Sequence, residues 1–246
     1  MTRNCPQNDG VGSLTLPAGT LQLDRPRLMG VVSTLDAPLE RQLKVADALI
    51  ADGADVIDVG GASVAVLALV EQLRRSNPAM PISVDAHDPV LARRALEAGA
   101  SLINDPLGGR DVAAIVGEHR AGLVVGFVRE RIDQAIASGV APSSIVVDAG
   151  TAGPGRALDA VLALGHPVLL GRHVDADPEP LPRLLAAVAA VGVRPGVIHR
   201  VDDVRAVRDF LAVFAVLEGY DDISVDLELP VELRRARSET EVIRDA

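Results

Sequence analysis

The 246 residues carry 24 Lys and Arg against 34 Asp and Glu, a formal net charge of −10, and 48% of them are apolar. An acidic surface repels phosphate backbones and anionic bilayers, so neither nucleic acid nor membrane is expected as a partner. Aromatic residues make up 2% of the chain, too few for stacking platforms, and the single cysteine, Cys5, can form neither an internal disulfide nor a thiolate cluster.

The first residues, MTRNCPQNDG, lack the apolar core of a signal peptide, and no apolar run approaches the ~20 residues that span a bilayer. A soluble, cytoplasmic protein is expected. SLTLPAGTLQL then reads as a β-hairpin with Gly19 in its turn, placed to close the bottom of a larger fold. MGVVST reads as the first strand of a repeating unit. LERQLKVADALIADG follows as a helix, with Leu39, Leu43, Ala46 and Ile50 on one stripe and Gly53 at its end.

VIDVGG is the next strand, ending at Asp58 and two glycines. After a segment broken by Pro78 and Pro81 comes the strand ISVDA, then the helix DPVLARRALEAG, with Asp88 placed to cap it and Pro89 suited to its first turn. The alternation continues through LINDP, GRDVAAIVGEHR, LVVGFV, RERIDQAIASG, SIVVDAG, RALDAVLALG, PVLLGRH, LPRLLAAVAAVG, GVIHRVD and VRAVRDFLAVFAVLEG. Strand–helix alternation implies parallel strands joined by crossover helices, and eight such units make a (β/α)8 TIM barrel with a short N-terminal hairpin. A doubly wound open sheet is the competing architecture. Residues 1–12 read as a polar N-terminal segment, 13–220 as the barrel and 221–246 as a charged tail.

Barrel sites are built where strands end at their C-termini. The polar residues there are Ser33, Thr34, Asp58, Asp85, Asn104, Asp148, Arg172 with His173, and Arg200 with Asp202. A lone strand-end Asp equally well caps a helix or closes an Asx turn. Asp85, Asn104 and Asp148 stand out together, because each ends a largely apolar run on a different strand. Short carboxylates and an amide suit a buried ring with alternating donors and acceptors, such as an aminopyrimidinone. The glycine-rich DAGTAGPGR offers backbone N–H groups to an anion or is simple turn chemistry. His173, Asp175 and Asp177 alternate as metal ligands would, but a solvated acidic loop explains them better, and no metal site is assigned. His87, His119, His166 and His199 occur singly, and neither a GxSxG elbow nor an HExxH pair is present.

The blocks RPRLMGVVS, GADVIDVGGAS, ISVDAHDPVLARRALEAGASLINDPLGG, SIVVDAG and RVDDV, in this order, resemble those of dihydropteroate synthase, from about Leu14 to Gly219. That family's barrel joins a pterin diphosphate to p-aminobenzoate in folate synthesis. The resemblance implies that Asp85, Asn104 and Asp148 contact a pterin ring and that Arg200 matches the arginine of the closing Arg-x-His block; Asp58, from the strand-end ring, joins them as a candidate substrate-binding residue. It also implies a homodimer through outer helices. Phe210 to Leu217, apolar nearly all round, fits either such an interface or packing beneath the tail.

The departures fall on the half that would hold the diphosphate. Ser33 replaces the family's Asn, and TLDAPLE is unlike the first loop. Gly60-Gly61-Ala62-Ser63-Val64-Ala65 lacks the Thr and Arg of Gly-Gly-Glu-Ser-Thr-Arg. GRHVDAD lacks the pterin-contacting lysine, with Asp175 near its place, and Asp202 replaces the final His. FVRERID runs straight into a helix where the family has a Met-His segment and a long loop. A departing diphosphate needs cations and donors, and carboxylates repel it. A pterin-like ligand without standard dihydropteroate synthesis is therefore expected. No resident cofactor is read, and Mg²⁺ would enter only with a diphosphate ligand. The other readings are an enzyme of altered chemistry, including pterin-dependent methyl transfer with a corrinoid partner, and a non-catalytic dimeric scaffold or regulatory protein.

Overall fold

The computed structural model describes residues 11–34, 37–61, 65–150, 156–171 and 180–221. Cys5, the middle of the glycine-rich turn, Arg172, His173, Asp175, Asp177 and the tail from 222 lie outside the described residues, as do Ala62, Ser63 and Val64. In chain order the elements are β1 (Ser13–Leu16), β2 (Gly19–Gln22), β3 (Arg27–Ser33), α1 (Leu39–Ala51), β4 (Val56–Gly60), α2 (Ala65–Ser76), β5 (Ile82–Asp85) and α3 (Pro89–Glu97). Then follow β6 (Leu102–Asn104), α4 (Arg110–Glu118), β7 (Gly122–Gly126), α5 (Arg129–Ala137), a 3₁₀ turn (Pro142–Ser144), β8 (Ile145–Asp148), α6 (Arg156–Leu162), β9 (Val168–Leu170), α7 (Leu181–Val191), β10 (Val197–Val201) and α8 (Val204–Leu217).

Strands β3 to β10 are hydrogen-bonded in sequence order, and β10 returns to β3, so the sheet is a closed barrel. Each barrel pairing is parallel. Closure rules out the open doubly wound sheet.

Local chemistry produces these elements much as their residues suggest. The Asp88 side chain accepts the Leu91 N–H at 3.1 Å, Pro89 opens α3, and Ala92, Ala95 and Leu96 turn inward. In α1, Gly53 N–H donates to Ile50 O at 3.0 Å and ends the helix. The segment before Pro78, which carries no strand–helix label in the sequence reading, forms α2 with Val66, Leu69, Val70 and Leu73 fully packed.

One strand differs from expectation. LVVGFV does not run through Phe127 and Val128, because β7 stops at Gly126. Val128 N–H folds back to Gly126 O at 2.7 Å, which turns the chain away from the sheet and leaves both side chains exposed.

The strands divide the core in two. Leu28, Ile57, Val59, Ile82, Val84, Ile103, Leu123 and their neighbours pack outward against the helices. Met29, Val56, Leu102, Val124, Val146, Leu169 and Ile198 point to the barrel axis, where Val11, Leu14, Leu16 and Leu23 join them. The hairpin is thus the barrel floor, as the sequence suggests. Its antiparallel strands close with Leu16 opposite Gly19. Gly122 shows how tightly it fits: a Cβ there would lie 2.5 Å from Leu102 Cδ1 and 2.6 Å from Leu16 Cδ2. Burying Leu14, Leu16 and Leu23 contributes about 1.5–3 kcal/mol each.

On the outside, α8 buries Val204 and Val207, whereas in its second half Val213 and Leu217 are 61% and 77% exposed. Phe210 stacks on Phe214 with ring centres 5.6 Å apart. Phe210 and Leu211 still pack against the core, so within the apolar second half it is Val213 and Leu217 that face outward. No described helix is long and apolar enough to cross a membrane.

Candidate functional site

Side chains alternate along a strand, so the residue two positions after a floor residue faces the axis one layer higher. Val56 is followed in this way by Asp58, Leu102 by Asn104, Val146 by Asp148 and Ile198 by Arg200. Asp85 enters through register, as the partner of Asn104 across β5 and β6. The apolar floor thus carries a polar layer directly above it, at the C-terminal ends of the strands.

The geometry of this layer is asymmetric. Asn104 Nδ2 donates to Asp85 Oδ1 at 2.6 Å. Because a carboxylate only accepts, this bond orients the amide and leaves Asn104 Oδ1 as an acceptor, with no hydrogen-bond partner among the described residues. Asp148 Oδ1 accepts the Gly150 N–H at 2.6 Å, the Asx turn that is the plainer use of a strand-end Asp. Its other oxygen faces Arg200.

Arg200 sits between two carboxylates, 3.8 Å from Asp58 Oδ2 through Nη1 and 3.8 Å from Asp148 Oδ2 through Nη2. These are ion pairs, too long for direct hydrogen bonds. The Arg200 and Asp58 side chains are wholly buried. Arg200 Nη2 also approaches Gly171 O at 3.4 Å, while Nε and Nη1 find no hydrogen-bond partner among the described residues. The hydroxyl of Ser83, whose register partner is Asp58, is buried in the same condition. Buried polar groups of this kind are rarely left unsatisfied, and their convergence marks a place for a polar ligand.

Asp85, Asn104, Asp148, Arg200 and Asp58, all chosen from the sequence, therefore lie in one inward-facing layer. Ser33 and Asp202 stand exposed, and Thr34 is buried.

Thr34 takes part in a feature that the sequence reading missed. Its Oγ1 donates to Gly60 O at 2.9 Å, and the buried Gln42 of α1 donates to Thr34 O at 3.3 Å and to Ala37 O at 2.7 Å. Gly61, at φ +128°, must lack a side chain because a Cβ would collide with Thr34 Oγ1. A lone polar residue among the apolar positions of a helix gives no periodic signal of its burial. A second miss is Asp105, which accepts from His87 beside the mouth. His199 on β10 faces away from the axis, and burial lowers its pKa to about 4, so its ring is neutral at pH 7. Among the described residues, no group of three His, Cys, Asp or Glu side chains is placed to hold a metal ion.

Residues 33–134 match the pterin binding enzyme family. The dihydropteroate synthase of Thermus thermophilus, solved with 6HMPPP, is 30% identical with a TM-score of 0.70, the match covering 83% of this chain and 99% of that one. The chain belongs to the dihydropteroate synthase family. A family member from Xanthomonas albilineans, solved with 7,8-dihydropteroate, is 27% identical with a TM-score of 0.73 over 84% of this chain and 98% of that one. Inactive dihydropteroate synthase 2 of Mycobacterium tuberculosis is 28% identical over 80% of this chain and 84% of its own length. A dihydropteroate synthase relative can therefore be inactive, and membership alone does not decide catalysis.

Proposed function

We propose that this protein holds a pterin, or a related aminopyrimidinone heterocycle, at the C-terminal mouth of its barrel, and that standard dihydropteroate synthesis is lost. The observation that carries the reading is the bonded Asp85–Asn104 pair, in one inward-facing layer with Asp148 and Arg200. Asp85, Asn104 Oδ1 and Asp148 offer acceptors to ring N–H and exocyclic amine groups, while Arg200 offers donors to a ring carbonyl or nitrogen. Asp58 pairs with Arg200 and holds its charge in place.

The same layer argues against a diphosphate. Asp58, Asp85 and Asp148 supply carboxylates, and Arg200 is the one cation among the described residues of the layer. Leaving-group charge needs preorganised cations and donors, which this layer does not supply. No step through a metal is assigned. The protein acts as a cytoplasmic homodimer in this reading, supported by the apolar Val213 and Leu217 exposed on α8.

The test is pterin affinity in Asp85→Ala and Asn104→Ala. Each should weaken 6-hydroxymethylpterin binding by about tenfold or more, the scale of a lost hydrogen bond to a charged or buried group. Unchanged affinity in both variants would overturn the assignment.

A further inference from the structure

One pair of titratable side chains stands at the same mouth but outside the inner layer. His87 follows Asp85 by two residues after β5, and Asp105 follows Asn104 directly after β6. His87 Nδ1 lies 2.7 Å from Asp105 Oδ1. The Asp105 side chain is 3% exposed and that of His87 56% exposed. Asp105 also accepts the Gly108 N–H at 3.2 Å and the Gly109 N–H at 3.0 Å. A carboxylate held by these donors is itself fixed, and it fixes the imidazole.

Because Asp105 accepts, the nitrogen facing it carries a proton, and in the neutral ring Nε2 holds the lone pair. Nε2 makes no hydrogen bond among the described residues. A buried carboxylate that orients an exposed imidazole is the arrangement of a general base and its orienting partner. Val90 at the start of α3, Leu107 after β6 and Phe127 after β7 are 65%, 70% and 42% exposed.

We propose that His87, oriented by Asp105, is the proton acceptor of this mouth. It serves an O–H or N–H group carried on the substituent of the heterocycle that Asp85 and Asn104 hold, and to that extent rests on the pterin reading. In the step, the ligand's O–H or N–H bond breaks and its electron pair stays on the oxygen or nitrogen. The proton moves to Nε2, and the imidazolium keeps its Nδ1–H on Asp105. Asp105 is a positioning residue.

The test uses the full chain with ¹⁵N-labelled histidine and two probes, 6-hydroxymethylpterin, which carries the O–H, and 6-methylpterin, which lacks it. His87 should show the Nδ1–H tautomer, its signals assigned by their loss in His87→Ala, and Asp105→Asn should disturb that tautomer. 6-Hydroxymethylpterin should shift the Nε2 signal, and 6-methylpterin should not. His87→Ala should weaken the first probe about threefold to tenfold, as one lost hydrogen bond does, and leave the second unchanged. If both probes bind but neither the Nε2 signal nor the affinity difference responds, the dyad's role is overturned and the pterin reading stands. If both probes weaken equally, the role is likewise overturned. If neither probe binds the wild type, the pterin reading fails and the proposal falls with it.

Discussion

Replacing Arg200 by Met keeps most of the side-chain volume and removes the cation from between Asp58 and Asp148. Each pair is separated by 3.8 Å, which at an effective dielectric of about 20 is an attraction of about 4 kcal/mol before desolvation. The net effect is smaller than the sum, because the guanidinium no longer has to be desolvated. Removing one partner of a buried ion pair costs about 3–5 kcal/mol, mostly because the remaining charge stays buried. For a chain of this size, about 2–4 °C of melting temperature is lost per kcal/mol, so a fall of about 6–20 °C is expected. Thermal and urea unfolding of Arg200→Met give the number. Adding Asp58→Asn to it should recover part of the loss, since one of the two buried carboxylates is gone. A single variant within 1 kcal/mol of wild type, or a double variant that loses the full sum of the single effects, would refute the three-group account.

Three further outcomes are expected. Burial lowers the pKa of His199 from 6.5 to about 4, so the unfolded chain binds a proton more readily within that window. Stability should fall as pH drops through 6.5, by about 2 kcal/mol at pH 5, and the loss should level off below about pH 4; urea unfolding across pH should show this slope in the wild type and a flatter one in His199→Leu. Gly122→Ala should destabilise by about 1–3 kcal/mol, since its Cβ meets Leu102 and Leu16, and Leu16→Ala in the same chain should relieve part of that loss in a thermal melt. Asp88→Ala removes the side-chain acceptor at the start of α3 and should cost about 1 kcal/mol by the same assay, with ligand affinity unchanged.

Much of the inner layer was legible because strand chemistry is local. An apolar run ending in Asp or Asn announces both the strand and the end at which a barrel places its site, and Asp58, Asp85, Asn104 and Asp148 all follow from that pattern. The cap at Asp88 and the hairpin were legible for the same reason, although the turn is Pro17–Ala18 and Gly19 opens β2 rather than sitting in the turn. The pairings were not. The Asp58–Arg200 contact joins the second barrel strand to the last, and only barrel closure brings them together. Phe127 and Val128 continue an apolar run, and nothing in their residue types shows that the chain turns out of the sheet after Gly126. Gln42 and Asp105 are buried polar residues whose partners are backbone groups or a side chain on another loop. Such contacts leave no pattern in a single sequence. The second half of α8 is apolar whether a tail or a second copy covers it, so composition could not choose between them.

The central claim is a retained pterin pocket with a lost diphosphate site. It is tested most directly by calorimetric titration of the wild-type protein with 6-hydroxymethylpterin and with its diphosphate, both in Mg²⁺. The expected result is binding of the pterin with no gain in affinity from the diphosphate. Markedly tighter binding of the diphosphate, or no binding of the pterin at all, would contradict it.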